Sequence, residues 1–165
     1  MSILVYAENW DGRFRKSAFE AISYAKKASI LFQTNVKTIS IGAVDNTELE
    51  RLGEFGTDKI ISYPNINKSN GKAIALILEQ EAKDCKLIIL SNTFNAKTIA
   101  PRVSAKLMAG LITNVISHID NTENICIKRQ AFSSKAIEKT KLNSNIGILT
   151  IAPNAFEINP NPGDC

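Results

Sequence analysis

The chain has 165 residues, 44% hydrophobic and 22% charged, with a mean hydropathy of -0.05. That is apolar material for one domain with a full core, and it excludes a disordered chain. No apolar stretch reaches the ~20 residues of a spanning helix, so direct membrane insertion is excluded as well.

In chain order, residues 3–7 form a short apolar strand, followed by a turn at 9–12. Residues 15–33 place Ala18, Ile22, Ala25 and Phe32 on one helical face, with Arg15, Lys16, Lys26 and Lys27 elsewhere. Residues 36–41 are a second strand. Asn46 or Thr47 caps a short helix carrying Leu49 and Leu52, with Glu48 and Glu50 near its positive end. Residues 59–63 are a third strand closed by Pro64, and 71–84 a helix through Ile74, Ile77, Leu78 and Ala82. The run Leu87-Ile88-Ile89-Leu90 reads as a buried parallel strand. A helix over 97–109 follows, with Pro101 in its first turn, Ile99, Val103 and Leu107 on one face, and Gly110 ending it.

The rhythm then changes. Residues 111–119, 125–132, 135–142 and 146–151 read as strands with no helix between them, with hairpin turns at 121–124 and 143–145. Four βα units followed by a meander predict an α/β fold: a mainly parallel sheet flanked by helices, with an antiparallel strand extension at the C-terminal end. The domain is expected to span 1–152. The tail 153–165, with Asn159-Pro160-Asn161-Pro162-Gly163, reads as extended and linker-like.

No catalytic, cofactor-binding or metal-binding set emerges. Arg102, placed beside Pro101 at the strand's carboxyl end, is the strongest single functional candidate. It could touch a phosphate or a neighbouring subunit, with an internal ion pair to a loop carboxylate slightly favoured over both. Glu8 and Asp11 have no opposed acid or nucleophile, so loop capping is favoured over acid–base work. Trp10, in the same loop, is either an exposed contact or a lid over the sheet edge, and Gly12 reads as a surface turn. Gly53 and Gly56 belong to no phosphate-loop motif; Gly56 reads as a left-handed helix cap.

Cys85, Cys126 and Cys165 form no C-x-x-C pair, and His118 is the only histidine, so no disulfide framework or zinc set is expected. Cys85 and Cys126 read as buried, reduced thiols, and His118 as a strand-end surface residue. The net charge of +4 and pI near 9.0 raise nucleic-acid binding. Yet the densest basic group (Lys128, Arg129, Lys135, Lys139, Lys141) has only Phe132 among it, poor material for base stacking. A solvated strand pair, or a surface facing an acidic partner, fits better.

Three segments carry a family resemblance. Ala100-Pro101-Arg102-Val103-Ser104-Ala105-Lys106-Leu107, after a strand and a polar loop, closely resembles the "APR-LAA-L" segment of the electron transfer flavoprotein alpha subunit. Where the family's loop usually carries Gly followed by Arg or Lys, this chain has Asn95, Ala96 and Lys97, so the glycine is missing and the basic residue is only approximately placed. Ile3-Leu4-Val5-Tyr6-Ala7-Glu8, Asp11-Gly12-Arg13-Phe14 and Ser17-Ala18-Phe19-Glu20 look like its opening strand, loop and helix. Leu52-Gly53-Glu54-Phe55-Gly56-Thr57-Asp58-Lys59-Ile60 resembles its "GA-D-V" junction.

The resemblance implies an amino-terminal scaffold domain with an adenine-nucleotide alpha-hydrolase-like fold, leading to a carboxyl-terminal domain that holds FAD. It implies an electron carrier, not an enzyme, whose alpha and beta subunits form a heterodimer. That heterodimer takes electrons from flavoprotein dehydrogenases, such as the acyl-CoA dehydrogenases of fatty acid beta-oxidation, and passes them to a quinone oxidoreductase. No cofactor is expected on this domain itself. With the first strand beginning at Ile3 and no room for a leader, a bacterial cytoplasmic location is expected, or the mitochondrial matrix in a eukaryote. The competing readings are a stand-alone nucleotide-binding module of the universal-stress-protein type and a small hydrolase or transferase. The first lacks phosphate-cradling glycines and the second a nucleophile with a base.

Overall fold

Alternating apolar runs and helical stripes build the sheet and its two covers. The computed structural model describes residues 1–161. Strand β1 (Ser2–Ala7) leads through a small hairpin, β2 (Asn9–Trp10) and β3 (Arg13–Phe14), into helix α1 (Lys16–Phe32). Then come β4 (Asn35–Ile41), α2 (Asn46–Gly53), β5 (Lys59–Tyr63), α3 (Gly71–Glu81), β6 (Cys85–Ser91) and α4 (Phe94–Leu107). The chain ends in β7 (Gly110–Val115), β8 (Cys126–Ala131), β9 (Ala136–Lys141) and β10 (Gly147–Ile151).

The main sheet runs β5-β4-β1-β6-β10-β7-β8-β9. All pairings from β5 to β7 are parallel, while β7–β8 and β8–β9 are antiparallel. The expected α/β architecture and antiparallel extension are therefore present. Ile3, Val5 and Ala7 of β1 pack with α1 residues Ala18, Ile22 and Ala25, whereas Leu4 and Tyr6 pack with Ile74 and Leu78 of α3 and Ile99 and Val103 of α4. Burial on both faces is what makes the central strands read as unbroken apolar runs.

Three local expectations are corrected. Helix α4 begins at Phe94, because Thr93 caps it by accepting a hydrogen bond from Ala96 N at 3.1 Å. Pro101 therefore sits inside the helix, not in its first turn. It is exposed, so the carbonyl of Lys97 that loses its donor lies on the solvent side, where water can serve it. Helix α4 ends at Met108, in the left-handed region at φ 49°, and Gly110 opens β7 instead. Helix α2 starts one residue early: Asp45 holds the N-cap position that Asn46 or Thr47 was expected to fill.

The larger correction is β10. Residues 143–145 make no hairpin; they carry the chain back from the outer strand so that β10 enters between β6 and β7, parallel to both. Likewise 121–124 form no tight hairpin but a local turn, in which Asn121 Oδ1 accepts from the backbone N–H groups of Glu123 and Asn124. The tight turn lies between β8 and β9, where Phe132, Ser133 and Ser134 all have positive φ.

The return crossing explains two glycines. A Cβ on Gly147 would lie 2.5 Å from Leu142 Cδ2 and 2.9 Å from Leu87 Cδ2. One on Gly110 would lie 2.6 Å from both Leu142 Cδ1 and Ser144 Oγ. Ser144 Oγ also accepts from Gly110 N at 2.7 Å and donates to the carbonyl of Ile146 at 2.6 Å, pinning the crossing to the starts of β7 and β10. Gly147→Ala is expected to destabilise the domain by about 1–3 kcal/mol through overpacking. Urea unfolding measures it, and Leu142→Ala in the same chain should recover part of the loss.

Candidate functional site

In this sheet the connections leave β1 and β6 toward opposite faces, so the crevice between their carboxyl ends is the switch point where α/β proteins place ligands. Here the chain fills it with its own groups. Glu8, one residue past β1, accepts a hydrogen bond from Thr93 Oγ1 at 2.6 Å and another from the Asn95 side-chain amide. Its carboxylate thus lies at the amino-terminal end of α4, where the helix dipole and free N–H groups favour an anion. On the same rim, Ser91 Oγ donates to the carbonyl of Ser17 at 2.8 Å, joining the end of β6 to the start of α1. Glu8 is thus a loop hydrogen-bond acceptor that braces the cap: Thr93 itself accepts from Ala96 N, and Glu8 holds the Thr93 hydroxyl. Asp11 is fully exposed at the hairpin tip, with Lys68 Nζ 4.0 Å away.

The hairpin answers the question about Trp10 and Gly12. Asp11 (φ 47°) and Gly12 (φ 76°) form the two-residue turn that requires left-handed backbone at both positions. Trp10 is 49% exposed, with the Arg15 guanidinium 4.2 Å from its ring centroid, so it stays a surface contact. Asn9 anchors the loop by donating to the carbonyl of Ile41 at 2.7 Å.

Beside the switch point lies a cleft of about 460 Å³, lined by Asn92, Lys97, Pro101, Asn114, Gln130 and Phe132 among others. Asn92 and Asn114 in its lining are hydrogen-bonded, Asn92 donating to Asn114 at 3.1 Å, and the Thr150 hydroxyl behind them donates to Asn92 at 3.0 Å. Asn114, at φ 59°, reaches Gln130 of β8. These groups satisfy one another across four strands, and sequence reasoning missed them. The recurring Asn and Thr at strand ends was the one available signal.

Arg102 is not at the strand end. With α4 starting at Phe94, it lies more than two turns into the helix, exposed, and forms no ion pair among the described residues. Gly53 closes α2, and Gly56 follows three residues later at φ 114°, past the cap position expected of it. The stem of Lys26 crosses Gly56 so closely that a Cβ there would meet Lys26 Cγ at 2.6 Å. Lys26 Nζ then pairs with Asp58 at 2.9 Å, so this junction is structural.

His118 is a further correction: it is half-buried rather than a surface residue. Its ring stacks on Tyr24 at 5.2 Å and lies 4.8 Å from Phe156. Phe156 belongs to the tail 153–161, which has no helix or strand yet is tied to the α1 face. Asn154 N donates to buried Glu20 at 2.9 Å, and Asn161 N donates to the carbonyl of Glu54 at 3.0 Å. The remainder of the expected tail, Pro162, Gly163 and Cys165 included, lies outside the described residues. Cys85 is buried, with Ser2 Oγ at 3.2 Å, and burial pushes its thiol up, against a nucleophilic thiolate. Cys126 is half-buried, and both thiols are free.

Among the described residues no helix is long and apolar enough to cross a membrane. At its switch point this α/β sheet carries a carboxylate of its own, hydrogen-bonded to Thr93 and Asn95. The family described as "Electron transfer flavoprotein domain" matches residues 3–164, and the chain belongs to that family. It is 26% identical over 164 residues to the electron transfer flavoprotein subunit alpha of Syntrophomonas wolfei, covering 96% of this chain and 50% of that one. To the subunit alpha of Bacillus subtilis it is 26% identical over 168 residues, covering 94% and 48%. To that of Clostridium acetobutylicum it is 22% identical over 163 residues, again covering 94% and 48%. The chain spans about half the length of the curated relatives it matches.

Two outcomes test this geometry. Glu8→Ala removes the acceptor of the half-buried Thr93 hydroxyl and the exposed Asn95 amide and is expected to cost about 0.5–1.5 kcal/mol in urea unfolding, with Glu8→Gln intermediate. Burial, assisted by Lys27, holds the His118 imidazole below its ordinary range. The unfolded chain therefore takes up that proton first, at about pH 6.5. The stability contributed by neutral His118 is full above that pH and is lost as the pH falls toward the depressed folded-state value. Unfolding midpoints should drop as the pH falls from neutrality through the mildly acidic range in the wild type, and His118→Gln should flatten that slope.

Proposed function

We propose that this chain is the amino-terminal scaffold domain of an electron transfer flavoprotein alpha subunit. The observation that carries the reading is the family match along residues 3–164 together with coverage of only half of each relative's length. In this reading the complete alpha subunit pairs with a beta subunit and carries FAD. The heterodimer accepts electrons from flavoprotein dehydrogenases such as acyl-CoA dehydrogenases and delivers them to a quinone oxidoreductase. It is an electron carrier of the bacterial cytoplasm or the mitochondrial matrix, not an enzyme in its own right.

The cofactor belongs to the other half of the subunit. Residues at the switch point do not fit a dinucleotide: a pyrophosphate there would meet the Glu8 carboxylate, already bonded to Thr93 and Asn95. The same carboxylate weighs against a stand-alone nucleotide-binding module, which would need that crevice for phosphate. What this domain supplies is a rigid base. Its tail runs back over α1, and residues 1–152 and 153–165 act as domain and connection.

Coexpression of the complete subunit with its beta partner should yield a yellow complex with flavin absorbance, whereas residues 1–165 alone should purify colourless. Stoichiometric FAD on the isolated domain would refute the placement of the cofactor in the other half. Failure of the complete subunit to copurify with the beta chain would refute the heterodimer.

A further inference from the structure

The two faces of the β8–β9 ribbon are charged in opposite ways. On one, Arg129 stands directly opposite Glu138 and pairs with it at 2.9 Å, while also donating to Thr113. On the other, Lys128 stands directly opposite Lys139, and Lys141 follows on the same face. Like charges opposite one another destabilise a strand pair. Among the described residues none of these three lysines forms an ion pair, and all are exposed.

Apolar side chains sit beside them. Ile137 shares the lysine face of β9 and is 69% exposed, and Phe132 projects from the turn at 82% exposure. Strand β9 is the outermost of the sheet, paired with β8 alone. Lysines do protect an edge strand from unwanted pairing. That task needs charge on the edge strand β9 alone, and it gives no reason for Lys128, on the inner strand β8, to stand against Lys139. A repulsion left uncompensated inside the domain is relieved when carboxylates arrive from outside.

We propose that this ribbon face is a docking surface for an acidic patch on the beta chain of the heterodimer, with Ile137 and Phe132 as its apolar anchors. The inference rests on the heterodimer reading above and adds the surface that reading leaves open. Carboxylates seated over Lys128 and Lys139 remove the cross-strand repulsion, so part of the association energy is stored in the free domain. The contact is charge-led and weakens as salt rises.

The test compares wild type with Lys139→Glu in the complete subunit, titrated with the purified beta chain at low and at physiological salt. Lys139→Glu sets an opposite charge against Lys128, so the free subunit should unfold at an equal or higher urea concentration. Its affinity for the beta chain should nevertheless fall at least about tenfold, with a shallower salt dependence. Lys72→Glu, on α3, should leave affinity unchanged. If wild type binds the beta chain and Lys139→Glu binds equally well, the docking surface is wrong and the lysines serve edge protection alone. Absence of any binding by wild type refutes the heterodimer reading, and this surface with it. A single-stranded oligonucleotide that binds wild type, loses affinity with Lys139→Glu and competes with the beta chain would overturn the proposal in favour of a nucleic-acid face.

Discussion

A carboxylate at the amino-terminal end of α4 organises the middle of this sheet. Glu8 leaves β1 and is held by Thr93 and Asn95, residues more than eighty positions away that begin α4. The bond joins the two central strands where their connections part to opposite faces of the sheet. It also places negative charge against the helix end, the position in which this architecture elsewhere presents N–H groups to a phosphate. One interaction thus does two things: it fixes the entry of α4 and it sets a carboxylate where this architecture would otherwise receive an anionic ligand. On the scaffold reading, the domain's work is packing and display.

Display depends on the far side of the sheet. Strand β10 is buried on both faces between β6 and β7, which anchors β7 and, through it, the β8–β9 ribbon. Insertion of β10 demands that the returning chain cross the start of β7, and Gly110 and Gly147 leave the room that Leu142 and Ser144 occupy. On the α1 face of the sheet, the tail folds back through Phe156 and Asn161. The ribbon and the tail therefore sit on a core that neither can deform cheaply.

Much of this was legible in the chain. Strands β1, β4, β5 and β6 and helices α1 and α3 follow local apolar patterns, and those patterns reported them within a few residues. Long-range pairing was not legible in the same way. The apolar run 146–151 was read as the last strand of a meander, although its lack of polar alternation, beside the charged alternation of 135–142, marks a strand buried on both faces. Pro101 misled because proline is most at home in a first turn, and the exposed side of α4 tolerates it later. The capping role of Glu8 could be weighed from its neighbours, but not its partners, since nothing local links residue 8 to residues 93 and 95. His118 looked like a strand end because its aromatic partners come from α1 and the tail.

The central claim is that the switch point is closed by Glu8, leaving the domain a platform rather than a nucleotide receptor. Backbone amide NMR of residues 1–165 during titration with ATP tests it most directly, through the resonances of Thr93, Asn95 and Ala96. The account predicts that these amides stay in place up to millimolar nucleotide. Saturable shifts centred on them, at micromolar nucleotide, would contradict it.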